Sequence, residues 1–205
     1  GSYYCPVYAG DEPSPGNENA ISGGSFYGPV TLRYQGSSGG ATPSVVSGGT
    51  FYGTVEGGAC IADGTFYESV KLTGRPDSTY VSGGTFYNDL PVDNDGKPVS
   101  IRGHIVTFMN DDTKYAMQVV SNGKATAPDA PSKAGYTFAG WYTETGEKFD
   151  LETARVTGDI ALTAKWTINS SPRYVVVVSD EPSHGSVAVS EKYAYRGATV
   201  TVAVT

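Results

Sequence analysis

A short aromatic sequence recurs four times in the first half of the chain and limits what the chain can fold into. Three copies read Ser-Gly-Gly-Ser/Thr-Phe-Tyr, at residues 22–27, 47–52 and 82–87, and a looser copy, Ala-Asp-Gly-Thr-Phe-Tyr, lies at residues 62–67. A unit that recurs every ~15 to 25 residues is one supersecondary element, which cannot bury its apolar face without a neighbour. We therefore expect the copies to stack on one another.

Each copy also has apolar residues at constant positions, one before the glycines and one four residues after the phenylalanine. Side chains two and four apart in a strand share a face, so the phenylalanine points inward and the tyrosine outward. This pattern predicts a short parallel β-solenoid over residues 21–92 and disfavours the alternative, a meander of hairpins that share a motif. The predicted inner column is Phe26, Phe51, Phe66 and Phe86, and the predicted outer column is Tyr27, Tyr52, Tyr67 and Tyr87.

Composition supports a mainly β protein and narrows its partners. The 205 residues include 27 Gly, 12 Pro and 15 Tyr, with only 17% charged residues, which favours strands joined by turns. The net charge of −7 argues against a nucleic-acid partner, because phosphate binding needs clustered Lys and Arg. No run approaches the ~20 apolar residues of a membrane span, so we expect no membrane insertion in this fragment. Gly1-Ser2 is typical of a cloning remnant or an internal start.

The pattern divides the chain into three predicted domains. Residues 1–103 form a capped β-solenoid of four coils, in which residues 1–20 supply the N-terminal cap that an open sheet edge needs. Residues 104–167 form a second β module, and residues 168–205 form a partial β segment. Within the second module, Asn122-Gly123 predicts a hairpin after the strand 115–120, and Asp150 predicts the start of a short helix over residues 151–155.

The second module resembles the Listeria–Bacteroides repeat, the internalin B-repeat family, over residues 105–166. The matching stretches are Val-Thr-Phe at residues 106–108, Gly-Tyr-Thr-Phe-Ala-Gly-Trp-Tyr at 135–142, and residues 156–166. The chain has Thr163 where the family usually has tyrosine. The resemblance implies a small β-grasp, ubiquitin-like module of bacterial surface proteins, used as a spacer or adhesin part and without a shared catalytic residue. Its apolar core is predicted at Phe108, Phe138, Trp141, Leu162 and Trp166.

Residues 173–205 resemble a divergent relative of the same repeat. The matching pieces are residues 174–179, 182–187 and 197–202. The family continues with a glycine-aromatic-tryptophan stretch where this sequence ends, so the segment is truncated relative to the family.

Few residues in this sequence suggest chemistry, and we predict no catalytic residue, no metal site and no cofactor. The two cysteines form no Cys-x-x-Cys pair, which gives a zinc site no support. Cys5 and Cys60 are instead candidates for a disulfide that ties the cap to the solenoid, in an extracellular setting that permits it. The outer tyrosines Tyr27, Tyr52, Tyr67 and Tyr87 are the candidate ligand-binding surface, because amphipathic rings can stack on sugars or anchor a protein. The alternative is a self-stacking ladder that stiffens the sheet or packs under a neighbouring module.

These observations predict a non-catalytic adhesin scaffold or stalk from a secreted or cell-surface bacterial protein. Its expected partner is a host or bacterial surface glycan or protein, and its expected state is a monomer. A carbohydrate-binding module of a larger extracellular enzyme is the alternative, and a solenoid glycoside hydrolase or lyase is less favoured.

Overall fold

A computed structural model describes residues 1–9, 20–33, 43–74, 79–169, 174–175, 187–189, 193–194 and 199–204. These residues form a mainly β protein, and none of them lies in a helix. The strands in chain order are β1 (Ser2–Tyr3), β2 (Val7–Ala9), β3 (Ala20–Phe26), β4 (Val30–Leu32), β5 (Ser44–Phe51), β6 (Val55–Gly57), β7 (Ala59–Phe66), β8 (Val70–Leu72), β9 (Tyr80–Val81), β10 (Gly83–Phe86), β11 (Ser100–Ile101), β12 (His104–Asn110), β13 (Thr113–Val120), β14 (Tyr136–Tyr142), β15 (Ile160–Ile168), β16 (Tyr174–Val175), β17 (Val187–Val189), β18 (Tyr193–Ala194) and β19 (Val202–Val204).

The repeats build two parallel sheets, which together we call the repeat stack (the described residues from 1 to 101). The first sheet has the order β1-β3-β5-β7-β10, and the second has the order β2-β4-β6-β8. The first three repeats each add one strand to each sheet, since the chain alternates between them, whereas the last repeat adds β9 and β10 to the first sheet and only the isolated bridge Lys71–Val92 to the second. Equivalent residues therefore face one another in register, as Phe26 does with Phe51 and Val30 does with Val55.

The core of the repeat stack lies between its two sheets, and the predicted phenylalanine column runs through it. Phe51 and Phe66 are fully buried, and their ring centroids lie 4.8 Å apart at an interplanar angle of 4°. The column continues through Phe26 and Phe86 at similar spacing. Valines, leucines and isoleucines from the flanking positions complete this core, so the phenylalanines predicted to point inward are buried.

A glycine with positive φ shapes each repeat before its phenylalanine. Gly49 has φ 110° and Gly84 has φ 110°, in a region that side chains with a Cβ rarely adopt. A Cβ at Gly49 would also lie 3.3 Å from the Phe26 ring. The glycine two residues before the phenylalanine of each repeat thus lets the backbone turn while the rings of successive repeats stay stacked.

Residues 1–9, predicted as a cap, extend both sheets instead. Tyr3 pairs with Phe26 in parallel, and Val7 pairs with Val30. The segment therefore adds a further turn to the repeat pattern, although it has tyrosine where the other copies have phenylalanine. The remainder of the predicted cap, at residues 10–19, lies outside the described residues.

The second module is a four-stranded sheet with the order β13-β12-β15-β14. Strands β12 and β13 form its hairpin, with Asp111 at φ 51° in the turn. The hairpin predicted at Asn122-Gly123 is wrong. Both edges of β13 are already paired, with β10 and β12, and Pro128 and Pro131 cannot donate ladder hydrogen bonds in the segment that follows. Gly123 turns the chain at φ 75° without starting a strand.

The predicted core of this module is confirmed, while its predicted helix is not. Phe108, Trp141 and Leu162 are buried, and Phe138 and Trp166 pack against them. Residues 151–153 form turns in place of a helix. The Asp150 side chain accepts hydrogen bonds from the Glu152 N–H and the Thr153 hydroxyl, so it caps one turn that the chain does not continue.

The repeat stack and the second module share one sheet. Strand β10 of the last repeat pairs antiparallel with β13, from Gly83 opposite Val120 to Phe86 opposite Met117. The edge that the last repeat would otherwise expose is thus covered by backbone pairing, which removes a site for unwanted strand addition.

The described residues form two compact units. The first comprises Gly1–Ser132 and Phe138–Trp166, so the predicted boundary at residue 103 falls inside it. The second comprises Lys133–Thr137 and Thr167–Thr205, and it contains the antiparallel pairs β16–β18 and β17–β19. Most of the sequence that resembles a divergent repeat, including residues 182–186, lies outside the described residues.

Candidate functional site

The outer tyrosines form a continuous stack, which we call the tyrosine ladder. Its neighbouring ring centroids are 4.6 to 4.9 Å apart, with interplanar angles of 3° to 8°. Backbone hydrogen bonds fix this register, since the N–H of Tyr52 donates to the Phe26 carbonyl at 2.8 Å and that of Tyr67 donates to the Phe51 carbonyl at 2.9 Å. The ladder consists of Tyr4, Tyr27, Tyr52, Tyr67 and Tyr87.

Stacking decides which parts of these rings a ligand can reach. Tyr27 and Tyr52 are 44% and 42% exposed, whereas Tyr4, at the end of the ladder, is 74% exposed. The faces of the interior rings are covered by their neighbours, so their exposed parts are ring edges and hydroxyls. Among the described rings of the ladder, a sugar that stacks on an aromatic face therefore finds an open face at Tyr4, and the interior of the ladder offers a row of hydroxyl groups.

At the other end, the ladder is fixed to the second module by Asp129. The Tyr67 hydroxyl donates to Asp129 Oδ2 at 2.6 Å, and the Asp129 N–H donates to the Tyr87 hydroxyl oxygen at 2.7 Å. One residue thus binds two successive rungs through its side chain and its backbone. Hydrogen bonds with an ionised acceptor are stronger than neutral ones, so this contact holds the ladder against the module.

The tyrosines at this end have raised pKa values, with different main causes. The hydrogen bond to the Asp129 carboxylate is the main reason that the pKa of Tyr67 lies far above its ordinary value, and burial adds to the shift. Burial is the main cause that raises the pKa of Tyr87 to about 12. Burial, and then the Asp129 charge, raise the pKa of Tyr115.

The last rung of the ladder ends on an aromatic cluster of the second module. Tyr115 meets Tyr87 edge-on, with ring centroids 5.5 Å apart and an interplanar angle of 87°. Tyr115 in turn lies 6.1 Å from Trp141, which packs edge-on against Phe108 in the module core. Edge-to-face contacts of this kind are favourable for aromatic pairs, so rings connect the ladder to the core of the module.

The contact region between the repeat stack and the module, where β10 pairs with β13, is called the joint. Two further polar contacts complete it. The buried Gln118 side chain donates from Nε2 to Thr85 Oγ1 at 2.8 Å and to Thr126 Oγ1 at 2.6 Å. Its Oε1 accepts the Thr126 N–H at 2.9 Å. The Lys114 ammonium pairs with the Asp89 carboxylate at the exposed side of the joint. Both amide N–H groups and the amide oxygen of Gln118 are thus hydrogen-bonded, which fixes the register of β10 against β13.

Sequence reasoning found the four rungs from Tyr27 to Tyr87 but missed other parts of this site. Tyr4 was assigned to a cap, although the tyrosine pair at residues 3–4 matches the Phe-Tyr pair of the repeats. Asp129 lies 62 residues from Tyr67 along the chain, and no local pattern marks it. Gln118 lies in β13, and nothing in its local sequence indicates that it hydrogen-bonds to Thr85 of the last repeat.

The predicted disulfide between Cys5 and Cys60 is not formed. Cys5 follows β1, and Cys60 is buried in β7, which lies three strands away in the sheet. Strands sit about 4.8 Å apart, so three steps across the sheet separate β1 from β7 by about 14 Å, whereas a disulfide needs Cα atoms within about 4.4–6.8 Å.

The described residues contain neither a cluster of metal-binding side chains nor a membrane-spanning helix. Among the described residues, no group of three or more His, Cys, Asp or Glu side chains is placed to hold a metal ion. His104 lies at the start of β12 with its Nδ1 3.9 Å from Asp159 Oδ1. The part of the chain that the structure describes also contains no helix that is long and apolar enough to cross a membrane.

Residues 104–165 match the model of the Listeria–Bacteroides repeat domain, so the resemblance predicted for residues 105–166 is confirmed. The second module is therefore a repeat domain of this type. Internalin H of Listeria monocytogenes is 32% identical over 123 residues, a match that covers 55% of this chain and 22% of that protein.

Two proteins of Evansella cellulosilytica are also similar to this chain. A presumed membrane protein is 42% identical over 78 residues, and a presumed Gly-rich membrane protein is 40% identical over 78 residues. Each match covers 37% of this chain, but only 11% and 8% of the respective relative. The chain thus corresponds to a small part of the length of these relatives.

The raised tyrosine pKa values predict that the protein loses stability in alkali. An unfolded tyrosine has a pKa of about 10. Between about pH 10 and about pH 12, the unfolded chain releases phenolic protons that folded Tyr67 and Tyr87 retain, so the free energy of unfolding falls as pH rises. Urea midpoints measured across this window should decrease, and less steeply in Asp129→Asn, which lacks the carboxylate that raises the pKa of Tyr67. A midpoint independent of pH would contradict the assigned hydrogen bond.

Proposed function

We propose that this chain is part of a non-catalytic scaffold or stalk of a secreted or surface-associated bacterial protein, and that this larger protein is an adhesin. The observation that carries the proposal is the shared sheet of β10 and β13, which joins the repeat stack to the Listeria–Bacteroides repeat domain without a linker. Two modules connected by a flexible linker would move independently. Backbone hydrogen bonds between paired strands of one continuous sheet instead fix the orientation of the two modules and transmit force between them.

The proposed stalk consists of a short parallel β-solenoid followed by a β-grasp module. Two parallel sheets built from the strands of successive repeats support the solenoid. The parallel pairing of β12 with β15, the first and last strands of the repeat domain, supports the β-grasp assignment. We retain residues 1–103, 104–167 and 168–205 as the proposed domain limits in sequence, with a joint between the first two that is structurally continuous.

Interior rings that cover one another support a structural role for most of the ladder. Tyr67 and Tyr87 are bound to Asp129, which leaves Tyr27 and Tyr52 as the exposed interior rungs that a partner could contact. We propose these two, with Tyr4, as the contact surface for a host or bacterial glycan or protein. The alternative, a carbohydrate-binding module of a larger extracellular enzyme, is supported only by the open ring face of Tyr4 and by the row of tyrosine hydroxyls along the ladder.

Changing Tyr27 and Tyr52 together to serine tests this surface. Adhesion to glycan arrays and to cultured host cells should fall, because the variant removes two exposed rings and leaves the Asp129 contact in place. Tyr8→Ser is the matched control, since Tyr8 is an exposed tyrosine of the repeat stack outside the ladder. Adhesion that is unchanged in a folded double variant would reject the ladder as the contact surface.

A separate assay tests the non-catalytic role. The purified chain is incubated with a panel of bacterial and host polysaccharides, and the products are separated by chromatography. We expect no new reducing ends and no unsaturated products. Turnover of any polysaccharide would favour the hydrolase or lyase alternative and overturn the scaffold proposal, whatever the adhesion result.

A further inference from the structure

The tyrosine ladder is also a continuous path of oxidisable rings. Its five rings are stacked with centroids no more than 4.9 Å apart, so their π systems are in van der Waals contact. Electrons exchange readily between aromatic rings at such distances. The path begins at the most exposed ring, Tyr4, and runs inward to the joint with the repeat domain.

One rung of this path differs from the others in its proton acceptor. A tyrosine that loses an electron becomes a strong acid, so a lasting radical forms where a base can take the phenolic proton. Among the described residues, Tyr67 is the ladder tyrosine whose hydroxyl donates to a carboxylate, Asp129 Oδ2, at 2.6 Å. The hydroxyl of the next rung, Tyr87, accepts the backbone N–H of Asp129 at 2.7 Å, and the Asp129 carboxylate is only a minor influence on its pKa.

We propose that the tyrosine ladder conducts one-electron oxidation and that the Tyr67–Asp129 pair is the site where the resulting radical rests. An outer-sphere one-electron oxidant removes an electron from an exposed ring, Tyr4 or Tyr27. Electrons then move outward from ring to ring until the vacancy reaches Tyr67. Tyr67 transfers its phenolic proton to Asp129 Oδ2, which yields a neutral tyrosyl radical, a neutral carboxylic acid and the reduced oxidant. One electron from a reductant, with return of the proton, restores both groups.

The geometry around the pair is suited to this exchange. After the proton moves, the Asp129 carboxylic acid can donate a hydrogen bond back to the tyrosyl oxygen, so the 2.6 Å contact persists in both states. The neighbouring phenylalanine column has the same stacking, but its rings are much harder to oxidise and carry no exchangeable proton. The structure thus provides one oxidisable path and one inert path side by side, and only the first includes a ring whose hydroxyl is hydrogen-bonded to a base.

The full chain can be tested with photogenerated tris(bipyridine)ruthenium(III) as the oxidant. Electron paramagnetic resonance should show a neutral tyrosyl radical, and spin trapping followed by peptide mass spectrometry should locate it at Tyr67. In Asp129→Asn, the Tyr67 adduct should be lost, and oxidation products should appear at Tyr4 and Tyr27. Asp89→Asn is the matched control, because Asp89 is also at the joint but pairs with Lys114; it should keep the Tyr67 adduct.

A second variant tests the path at a distance from the joint. Tyr52→Phe keeps a ring in the stack but interrupts the row of oxidisable ones, so products should accumulate at Tyr4 and Tyr27 and the Tyr67 adduct should decrease. Tyr8→Phe should leave the distribution unchanged. Circular dichroism verifies that each variant is folded, and if Asp129→Asn is not, Tyr52→Phe alone decides. An unchanged Tyr67 yield in either folded variant overturns the proposal.

Discussion

Replacing Phe51 with alanine should lower the free energy of unfolding by about 3–5 kcal/mol. Phe51 is fully buried, and its ring is stacked between Phe26 and Phe66 at 4.8 Å on each side. The variant leaves a cavity in the middle of a column whose neighbours are held in register by two sheets, so collapse around the site is limited. Urea denaturation followed by circular dichroism measures the effect.

Tyr52→Ala is the matched control for Phe51→Ala, because Tyr52 is the next residue and its ring is stacked at similar distances on the exposed side. Its loss should be clearly smaller, since the ring is 42% exposed and water can fill the space. Equal losses in the two variants would contradict the assignment of the phenylalanine column as the core of the repeat stack.

Gly57→Ala should destabilise the protein by more than about 3 kcal/mol, through two effects that add. Gly57 has φ 119°, where a residue with a Cβ costs about 1–3 kcal/mol in strain. A Cβ at this position would also overlap the Leu32 carbonyl oxygen, and that oxygen belongs to the neighbouring strand of the second sheet. Relief requires the two strands to separate, so the loss should appear as a lower thermal midpoint with a lower yield of folded protein.

Gly23→Ala provides the comparison for this glycine. Gly23 is exposed and has no atom within 4 Å of an added Cβ, so its substitution should change stability by no more than about 0.5 kcal/mol. If both alanine variants are equally stable, the close approach of β4 and β6 at Gly57 is not a constraint on the fold.

The joint explains why these core substitutions should be felt beyond their own repeat. Strand β10 belongs at once to the repeat stack and to the sheet of the repeat domain. The buried Gln118 links β13 to Thr85 of β10, and the ladder is tied to Asp129. Loss of packing in the repeat stack therefore destabilises β10, the strand with which β13 of the repeat domain pairs. We expect the repeat stack and the repeat domain to unfold cooperatively.

The repeats, the two aromatic columns and the resemblance of residues 104–165 to the Listeria–Bacteroides repeat domain could all be predicted from the sequence. A strand has a strict period of two, so one Phe-Tyr pair per repeat places one ring inward and one outward wherever the repeat occurs. The core residues Phe108, Trp141 and Leu162 were accessible in the same way, from alternation within single strands. Local sequence patterns predict less well where tertiary contacts oppose them. At Asn122-Gly123 the sequence predicts a hairpin, but β10 and β12 already pair with both edges of β13 and leave none for a further strand.

The strand that covers the edge of the repeat stack and the residues that contact the tyrosine ladder could not be predicted from the sequence and follow from the three-dimensional fold. Asp129 lies 42 residues from Tyr87 and 62 from Tyr67 in the chain, and its role follows from the pairing of β10 with β13. No periodicity encodes that pairing, because the exposed edge of a sheet offers the same backbone groups to any strand. The choice depends on side chains that meet only after both parts have folded, such as Gln118 with Thr85 and Tyr115 with Tyr87.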